Sequence, residues 1–437
     1  LVLKMALPMV ISMLVNSLYN IVDSFFVAQV SEDAMTAISI VYPLQNLANA
    51  IGVGFGVGIN AAVAYYLGAN NGKAANRSAT LGIILSALHG IVLAGICVLL
   101  IRPFVSMFTD SEQIIAYGLD YFYTVIAFAP VLTLGMAFEK VLQATGKMKT
   151  TMFCMAIGAV ANIILDPIFI SGLGAVPAMG VFGAALATGI GQTLSLISYI
   201  AVFLLAKIPV RLRLEHRGEE KICRKLYYVG IPASLNLALP SFMITVLNAI
   251  LAAFAEVYVL ILGVYYKLQT FIYFTISGIV QGIRPLISYN LGAGRKDRVI
   301  GIFKVTLLLS LGVMVIGTIL CLAIPGQLMD IFTDTPQTME QGAVALRIIS
   351  AGFIVSAISV VVSGSFEALG KGMPSLIISL LRYIAILPIA LIMSYLFQAA
   401  GVWHSFWITE LLSAVVSCIL FWRLFYKDCT KQSCECV

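Results

Sequence analysis

Apolar runs long enough to cross a membrane recur along almost the whole chain, and no other feature restricts its fold so strongly. Segments such as 81–101, 152–170 and 299–324 each reach the ~20 residues that span a ~30 Å hydrocarbon core at ~1.5 Å per residue. Of the 437 residues 61% are hydrophobic and 11% charged, whereas soluble domains carry about 25% charged residues. Lipid is therefore the expected solvent. Barrel strands would alternate apolar and polar over ~10 residues, and the chain shows no such alternation. The entry from Pro8 into the first run lacks a small-residue cleavage site, which reads as a span and not as a signal peptide.

Twelve spans are expected, at 5–29, 35–66, 78–101, 113–143, 150–170, 181–205, 227–254, 258–290, 299–323, 338–368, 375–397 and 402–425. Basic residues fall in alternate loops: Lys73 and Arg77; Lys147 and Lys149; seven between Lys207 and Lys225; Arg295, Lys296 and Arg298; Lys371; Lys427 and Lys431. The other loops hold Glu32, Asp33, Asp110, Glu112, Asp330, Asp334 and Glu340, with Arg102 as their cation. Positive-inside sorting puts both termini in the cytoplasm. The net charge of +6 is thus an orientation signal, and no nucleic-acid partner is needed to explain it.

A shift of 224 residues superposes the chain on itself. Pro8 falls on Pro232, Tyr42 on Tyr266, Gln45 on Gln269, Gly58 on Gly282, Leu67-Gly68-Ala69 on Leu291-Gly292-Ala293, Phe108-Thr109-Asp110 on Phe332-Thr333-Asp334, and Gly146-Lys147 on Gly370-Lys371. One register held over so many loops is an internal repeat. Each half has six spans, an even number, so the repeat is parallel, with its pseudo-twofold axis along the membrane normal. The expected architecture is an all-α polytopic membrane protein of two six-helix lobes. These are an N-terminal lobe at 1–206, a cytoplasmic linker at 207–226, a C-terminal lobe at 227–426 and a cytoplasmic tail at 427–437. The linker reads either as a short basic surface helix or as a solvated connector.

An acid at membrane depth costs several kcal/mol unless it is neutralised or faces a cavity. Asp23 and Asp166 lie at similar depth in the outer half of spans 1 and 5. Asn16, Tyr19 and Asn20 share a stripe with Asp23 at three- and four-residue spacing, and Asn162 lies one turn from Asp166. Two carboxylates in a dry site resist simultaneous ionisation, so the pair should take up H⁺ or Na⁺. The plainer reading is that each acid bonds a neighbouring helix or reaches the outer water. In the 224-residue register Asp23 meets Leu247 and Asp166 meets Ala390, which confines a coupling site to the first lobe.

Other polar residues admit two readings each. Glu139 and Glu367 are expected to snorkel or to pair with Lys140 and Lys371. Glu410, Lys267, Arg347 and Arg382 either pair among themselves or meet an anionic group on a substrate. Tyr42, Gln45, Asn49, Tyr266, Gln269, Tyr273 and Arg284, with Asn46, Phe271 and Phe274, either line a central cavity for amphipathic ligands or pack helices. Gly52, Gly54, Gly56 and Gly58 permit close helix packing. The eight cysteines form no paired CxxC motif and read as packing residues and free thiols, including Cys434 and Cys436 in the tail.

No HExxH, GxSxG or GxxxxGK[ST] motif is present, and the chain has three histidines. An enzyme is not expected, and pumping would draw on an ion gradient. The two-lobe repeat also disfavours a channel or a non-transporting receptor.

The chain resembles the multidrug and toxic compound extrusion family over its whole length. The resemblance rests on Leu7-Pro8, Leu18-Tyr19-Asn20-Ile21-Val22-Asp23, Gln143-Ala144-Thr145-Gly146-Lys147 and Asn162-Ile163-Ile164-Leu165-Asp166-Pro167. The second half adds Tyr289-Asn290-Leu291-Gly292-Ala293-Gly294-Arg295 and Ala368-Leu369-Gly370-Lys371-Gly372. It implies an alternating-access antiporter that admits H⁺ or Na⁺ and exports small organic, amphipathic or cationic compounds. It further implies a cation site at Asp23, Asn162 and Asp166 beside Tyr19 and Asn20, and a conformational hinge at Pro8. No cofactor or metal is implied beyond the coupling ion. A monomer in the plasma membrane, with the lipid bilayer and a small-molecule substrate as partners, is expected. The pattern is similar to the branch named after DNA-damage-inducible protein F. Glu367, where the first half has Gln143, and the basic second lobe depart from it, which leaves export or flipping of a lipid-linked or anionic metabolite as the alternative.

Overall fold

The computed structural model describes residues 1–173, 176–213, 221–333 and 335–426. Asp334, most of the linker after Arg213 and the tail with Lys427, Lys431, Cys434 and Cys436 lie outside the described residues. The first lobe contains α1 (Val2–Ala28), α2 (Glu32–Gly68), α3 (Gly72–Val105), α4 (Glu112–Ala127), α5 (Ala129–Ala144), α6 (Met148–Ser171) and α7 (Gly180–Leu205). The second contains α8 (Ile222–Ala252), α9 (Glu256–Gly292), α10 (Lys296–Ala323), the short α11 (Pro325–Asp330), α12 (Pro336–Ser350), α13 (Phe353–Ala368), α14 (Gly372–Tyr383) and α15 (Ile386–Phe421), then a π turn at Trp422–Tyr426.

Among the described residues nine helical stretches are long and apolar enough to cross a membrane, and two bent pairs raise the total to eleven. One of the nine, Gly372–Phe425, has 54 residues and would extend ~80 Å if straight. It reverses at Phe397 and Gln398, where the helical backbone is lost and Gln398 has a φ of 55°. A Cβ on Gly401 would clash with the carbonyl of Met393, an approach that a straight helix forbids at eight residues' separation. This stretch is therefore two spans, and the twelve expected crossings are present. The bent pairs break in register: α4 and α5 meet at Phe128 with a 44° bend, α12 and α13 at Ala351 and Gly352 with a 51° bend. Phe128 and Gly352 are partners in the 224-residue repeat, and Pro130 in the first turn of α5 has no amide hydrogen to continue the helix.

Helix starts follow the local chemistry. Ser31 accepts a hydrogen bond from the Ala34 amide at 3.0 Å, with Glu32 and Asp33 in the first turn, and Asn71 caps α3 in the same way through Ala74. Gly146 and Gly370, repeat partners, take φ of 82° and 73°, the left-handed region that favours glycine. The linker is not helical through Arg213: the amides of Arg211 and Arg213 donate to Asn76 Oδ1 and Thr80 Oγ1 at 2.7 and 2.9 Å. This pins the connector along the start of α3.

The lobes join through α1 on α9 and α2 on α8 and α9. The contacts repeat about the pseudo-twofold axis, glycine by glycine. Gly54 backs onto Ser234 and Gly278 onto Val10; Gly58 backs onto Leu226 and Gly282 onto Ala6; Gly68 backs onto Tyr289 and Gly292 onto Tyr65. At all six a Cβ would overlap the opposing backbone, so only glycine allows the helices so close. Every one lies in the half of its helix nearest the turns at 69–71 and 293–295, called here the basal end. Beyond this seal the lobes enclose a cavity.

Candidate functional site

The cavity between the lobes has a volume of about 570 Å³ and is walled by both of them, a size that suits a drug-sized molecule. Tyr42, Gln45 and Asn49 of α2 and Arg284 of α9 line it, as do Asn46 and Phe274. Tyr266, Gln269, Tyr273 and Phe271 are not among its lining residues. The hydroxyl of Tyr273 bonds Ser356 Oγ at 2.8 Å, and Tyr266 packs with its ring tilted against Tyr265 and Phe406 inside the second lobe. The repeat partners Tyr42 and Tyr266 thus differ in environment: Tyr42 lines the cavity, and Tyr266 packs inside its own lobe.

Tyr19, Asn20 and Asn162 stand on the cavity wall, whereas Asp23 and Asp166 lie behind it. Asp166 is wholly buried, with Asn162 beside it. The Asn162 amide Nδ2 donates to Asp166 Oδ1 and to Thr188 Oγ1, both at 3.3 Å. Asp23 of α1 and Asp166 of α6 lie within electrostatic reach of each other, and Tyr19 and Tyr121 sit within reach of both. Three buried acceptors of this group, Asp23 Oδ1, Asn162 Oδ1 and Asp166 Oδ2, accept no hydrogen bond among the described residues. Buried acceptors without donors are costly, and three oxygens from two carboxylates and an amide suit a hard monovalent cation or a shared proton. Asn20 is turned elsewhere: its amide donates to the carbonyl and side chain of Asn16 on the same helix.

Tyr121, which also donates to Gln45 Oε1 at 3.4 Å, and Thr188 join this cluster without any sequence signal. They stand on α4 and α7, and only the packing of α7 on α6 and α1, and of α4 on α7 and α2, brings them near. Pro8 lies inside α1, where it removes one backbone hydrogen bond from the basal half of the helix.

Among the described residues the other buried charges of the spans are paired. Lys140 Nζ meets Glu139 Oε1 at 3.0 Å, and Arg382 Nε meets Glu410 Oε1 at 2.7 Å. Glu367 takes Arg284 of α9 in place of the expected Lys371, while Lys371 donates to the Leu424 carbonyl. The reason is depth: Arg284 stands in the cavity wall beside Glu367, whereas Lys371 stands just before the start of α14 at the basal surface. Lys267 lies over the Phe332 ring. Cys97, Cys154 and Cys321 are buried free thiols, and Cys223 and Cys418 exposed ones.

Comparison with known proteins finds relatives over almost the whole chain. The chain is 28% identical over 427 residues to the multidrug export protein MepA of Staphylococcus aureus strain N315, covering 96% of this chain and 92% of the relative. It is 26% identical over 421 residues to the MepA of Staphylococcus haemolyticus, with the same coverage. A structure described as the outward-facing conformation of a multidrug resistance MATE family transporter superposes with a TM-score of 0.91 at 22% identity, covering 98% of this chain and 96% of that one. A MOP superfamily transporter from Pyrococcus furiosus, described as having a binding pocket of reverse polarity, superposes at 0.90 with the same identity and coverage. The MatE family profile matches twice, at 8–168 and 232–392, so its two copies begin on Pro8 and Pro232, the residues that the internal repeat superposes. The chain belongs to the MatE, or multidrug and toxic compound extrusion, family of membrane transporters.

Proposed function

We propose that this protein is a secondary antiporter that admits H⁺ or Na⁺ and exports small organic, amphipathic or cationic compounds through the cavity between its lobes. The observation that carries this reading is the cluster of Asp23, Asn162 and Asp166, whose three unpartnered buried acceptors lie directly behind a wall made by Tyr19 and Asn162. An ion bound there neutralises charge in a dry site, and the same helix, α1, carries both Asp23 and the cavity residues Tyr19 and Asn20. A change in the occupancy of the cluster is therefore felt in the wall of the cavity and in the basal contacts of α1 with α9. That is the linkage antiport requires: one ligand must alter the free energy of the other through a shared two-state element.

The chain sits in the plasma membrane as a monomer with both termini cytoplasmic, following the loop charges. The basal seal then faces the cytoplasm, and this conformation opens outward. Rocking of the two lobes against each other around the cavity exposes it to the other side. Pro8 lets α1 bend during that exchange. No cofactor is needed, because the work comes from the ion gradient.

The test is ethidium efflux from liposomes containing the purified protein, under an imposed pH or Na⁺ gradient. Gradient-dependent efflux that Asp23→Asn abolishes supports the reading and identifies the ion. Efflux that persists in a folded Asp23→Asn protein overturns it. A second reading, export of an anionic or lipid-linked metabolite, draws on Arg284 and Arg382 in the cavity wall and predicts no ethidium efflux under either gradient.

A further inference from the structure

Four charged residues line the cavity, Glu139 on the first lobe and Arg284, Glu367 and Arg382 on the second. All four belong to ion pairs, with Lys140 and Glu410 completing the set. Such pairing is what a low-dielectric site demands, and it leaves these six groups with no net charge. The pairs differ, however, in which member meets the cavity and in how much of its bonding capacity is spent.

The Arg284 and Glu367 pair is closed on the carboxylate side. Glu367 Oε2 accepts from Arg284, and its Oε1 accepts from Asn236 Nδ2 at 2.9 Å and Ser375 Oγ at 3.1 Å. Glu139 is different: its Oε1 accepts from Lys140 and Gln143, while Oε2 accepts nothing among the described residues and is not sealed by packing. Its partner Lys140 is buried away from the cavity. Arg382 is the converse. Its Nε donates to Glu410, which stands behind the wall, and neither terminal amino group donates to any described residue or is sealed from the cavity. The guanidinium is held between the rings of Tyr273 and Tyr383, 5.1 and 5.5 Å from their centroids. Ser359 and Ser379 stand with it on the same wall.

We infer that the cavity is bipolar, with Glu139 Oε2 receiving a cationic centre on the first lobe and the Arg382 amino groups receiving an oxyanion of the same substrate on the second. The preferred cargo is then a drug-sized zwitterion, an aromatic or amphipathic molecule carrying both a cation and a carboxylate-type or phosphate-type group. Two free donors on a planar guanidinium match such an oxyanion in the fork geometry that favours arginine. A simple cation satisfies one pole only, and it leaves the arginine's donors without a partner once water is displaced. This inference rests on the cavity being the path of exported substrate.

The test uses three xanthene dyes on one skeleton: rhodamine B, which carries a cation and a carboxylate; its ethyl ester, which keeps only the cation; and fluorescein, which keeps only the anion. Binding is measured by calorimetry on the full chain purified in detergent, and gradient-driven efflux is followed separately in liposomes. Rhodamine B is expected to bind about tenfold or more tightly than either relative. Removing the second-lobe pole as a pair, Arg382→Gln with Glu410→Gln, should bring the ratio of rhodamine B to its ester close to one. The matching change on the first lobe, Glu139→Gln with Lys140→Gln, should erase the preference of rhodamine B over fluorescein. Equal binding of rhodamine B and its ester to the wild type overturns the inference, as does a double variant that leaves their ratio unchanged. Selective binding without gradient-driven efflux would instead sink the antiport reading and leave the bipolar cavity standing.

Discussion

Asn162 reaches one turn along α6 to donate its amide to Asp166 at 3.3 Å, and the same nitrogen reaches Thr188 on α7 at 3.3 Å. A buried carboxylate is thereby held by a residue that also forms part of the cavity wall. The cavity and the buried carboxylate therefore share a side chain, not merely a neighbourhood.

Removing that amide should be felt at the ion. A hydrogen bond to a charged group contributes about 1.5–3 kcal/mol, so Asn162→Ala is expected to shift the ion concentration for half-maximal efflux about tenfold or more, downward for H⁺, against which this bond competes, and upward for Na⁺, which loses the Asn162 Oδ1 ligand. Titrating ethidium efflux against the coupling ion in liposomes reads the shift directly, and an unchanged midpoint would remove Asn162 from the site.

Thr188 is one step further out. Thr188→Val keeps the shape and deletes a neutral hydrogen bond of about 0.5–1.5 kcal/mol, so the same titration should move by no more than about tenfold. A larger shift than that of Asn162→Ala would mean that Thr188 contacts the ion itself.

Asp166 has no donor on Oδ2 and lies close to Asp23. Asp166→Asn should weaken or abolish gradient-dependent efflux in the manner of Asp23→Asn. Both proteins are expected to elute as folded monomers on size-exclusion chromatography, since an amide replaces a carboxylate of equal size.

The Arg382 and Glu410 pair is buried, with side chains 9% and 14% exposed. Breaking such a pair from one side typically costs about 3–5 kcal/mol, while replacing both partners with apolar residues is close to neutral. Glu410→Leu should therefore lower the melting temperature in detergent sharply, and Arg382→Met added to it should restore most of the loss. Equal melting of the single and double variants would show that the pair is not coupled.

The basal seal makes a prediction about conformation. At Gly54 and Gly278 a side chain would run into the backbone of the opposite lobe. Gly54→Leu and Gly278→Leu should each spread the lobes at this end. Spin labels on the exposed positions Lys73 and Arg298, read by double electron–electron resonance, should report a longer distance than in the parent.

The number and order of the spans, the repeat and the candidate acids were legible in the sequence, because each depends on local composition or on one register held along the chain. Apolar length fixes a crossing whatever surrounds it, and an acid such as Asp166 is conspicuous in an apolar run because lipid offers it no solvation. The breaks at Phe128 and Gly352 were not visible, since an apolar window reads through a bend, whereas the reversal at Phe397 and Gln398 falls at the expected end of the span at 375–397. Tertiary structure alone decided what each polar group meets. It brought Tyr121 and Thr188 to the acids, paired Glu367 with Arg284 in place of Lys371, and turned Tyr266, Gln269 and Tyr273 away from the cavity that Tyr42, Gln45 and Asn49 line. Two repeats of one pattern carry no record of which helix face ends against which neighbour. That choice is made by close packing of whole helices, where one glycine against one backbone sets the rotation of everything along it.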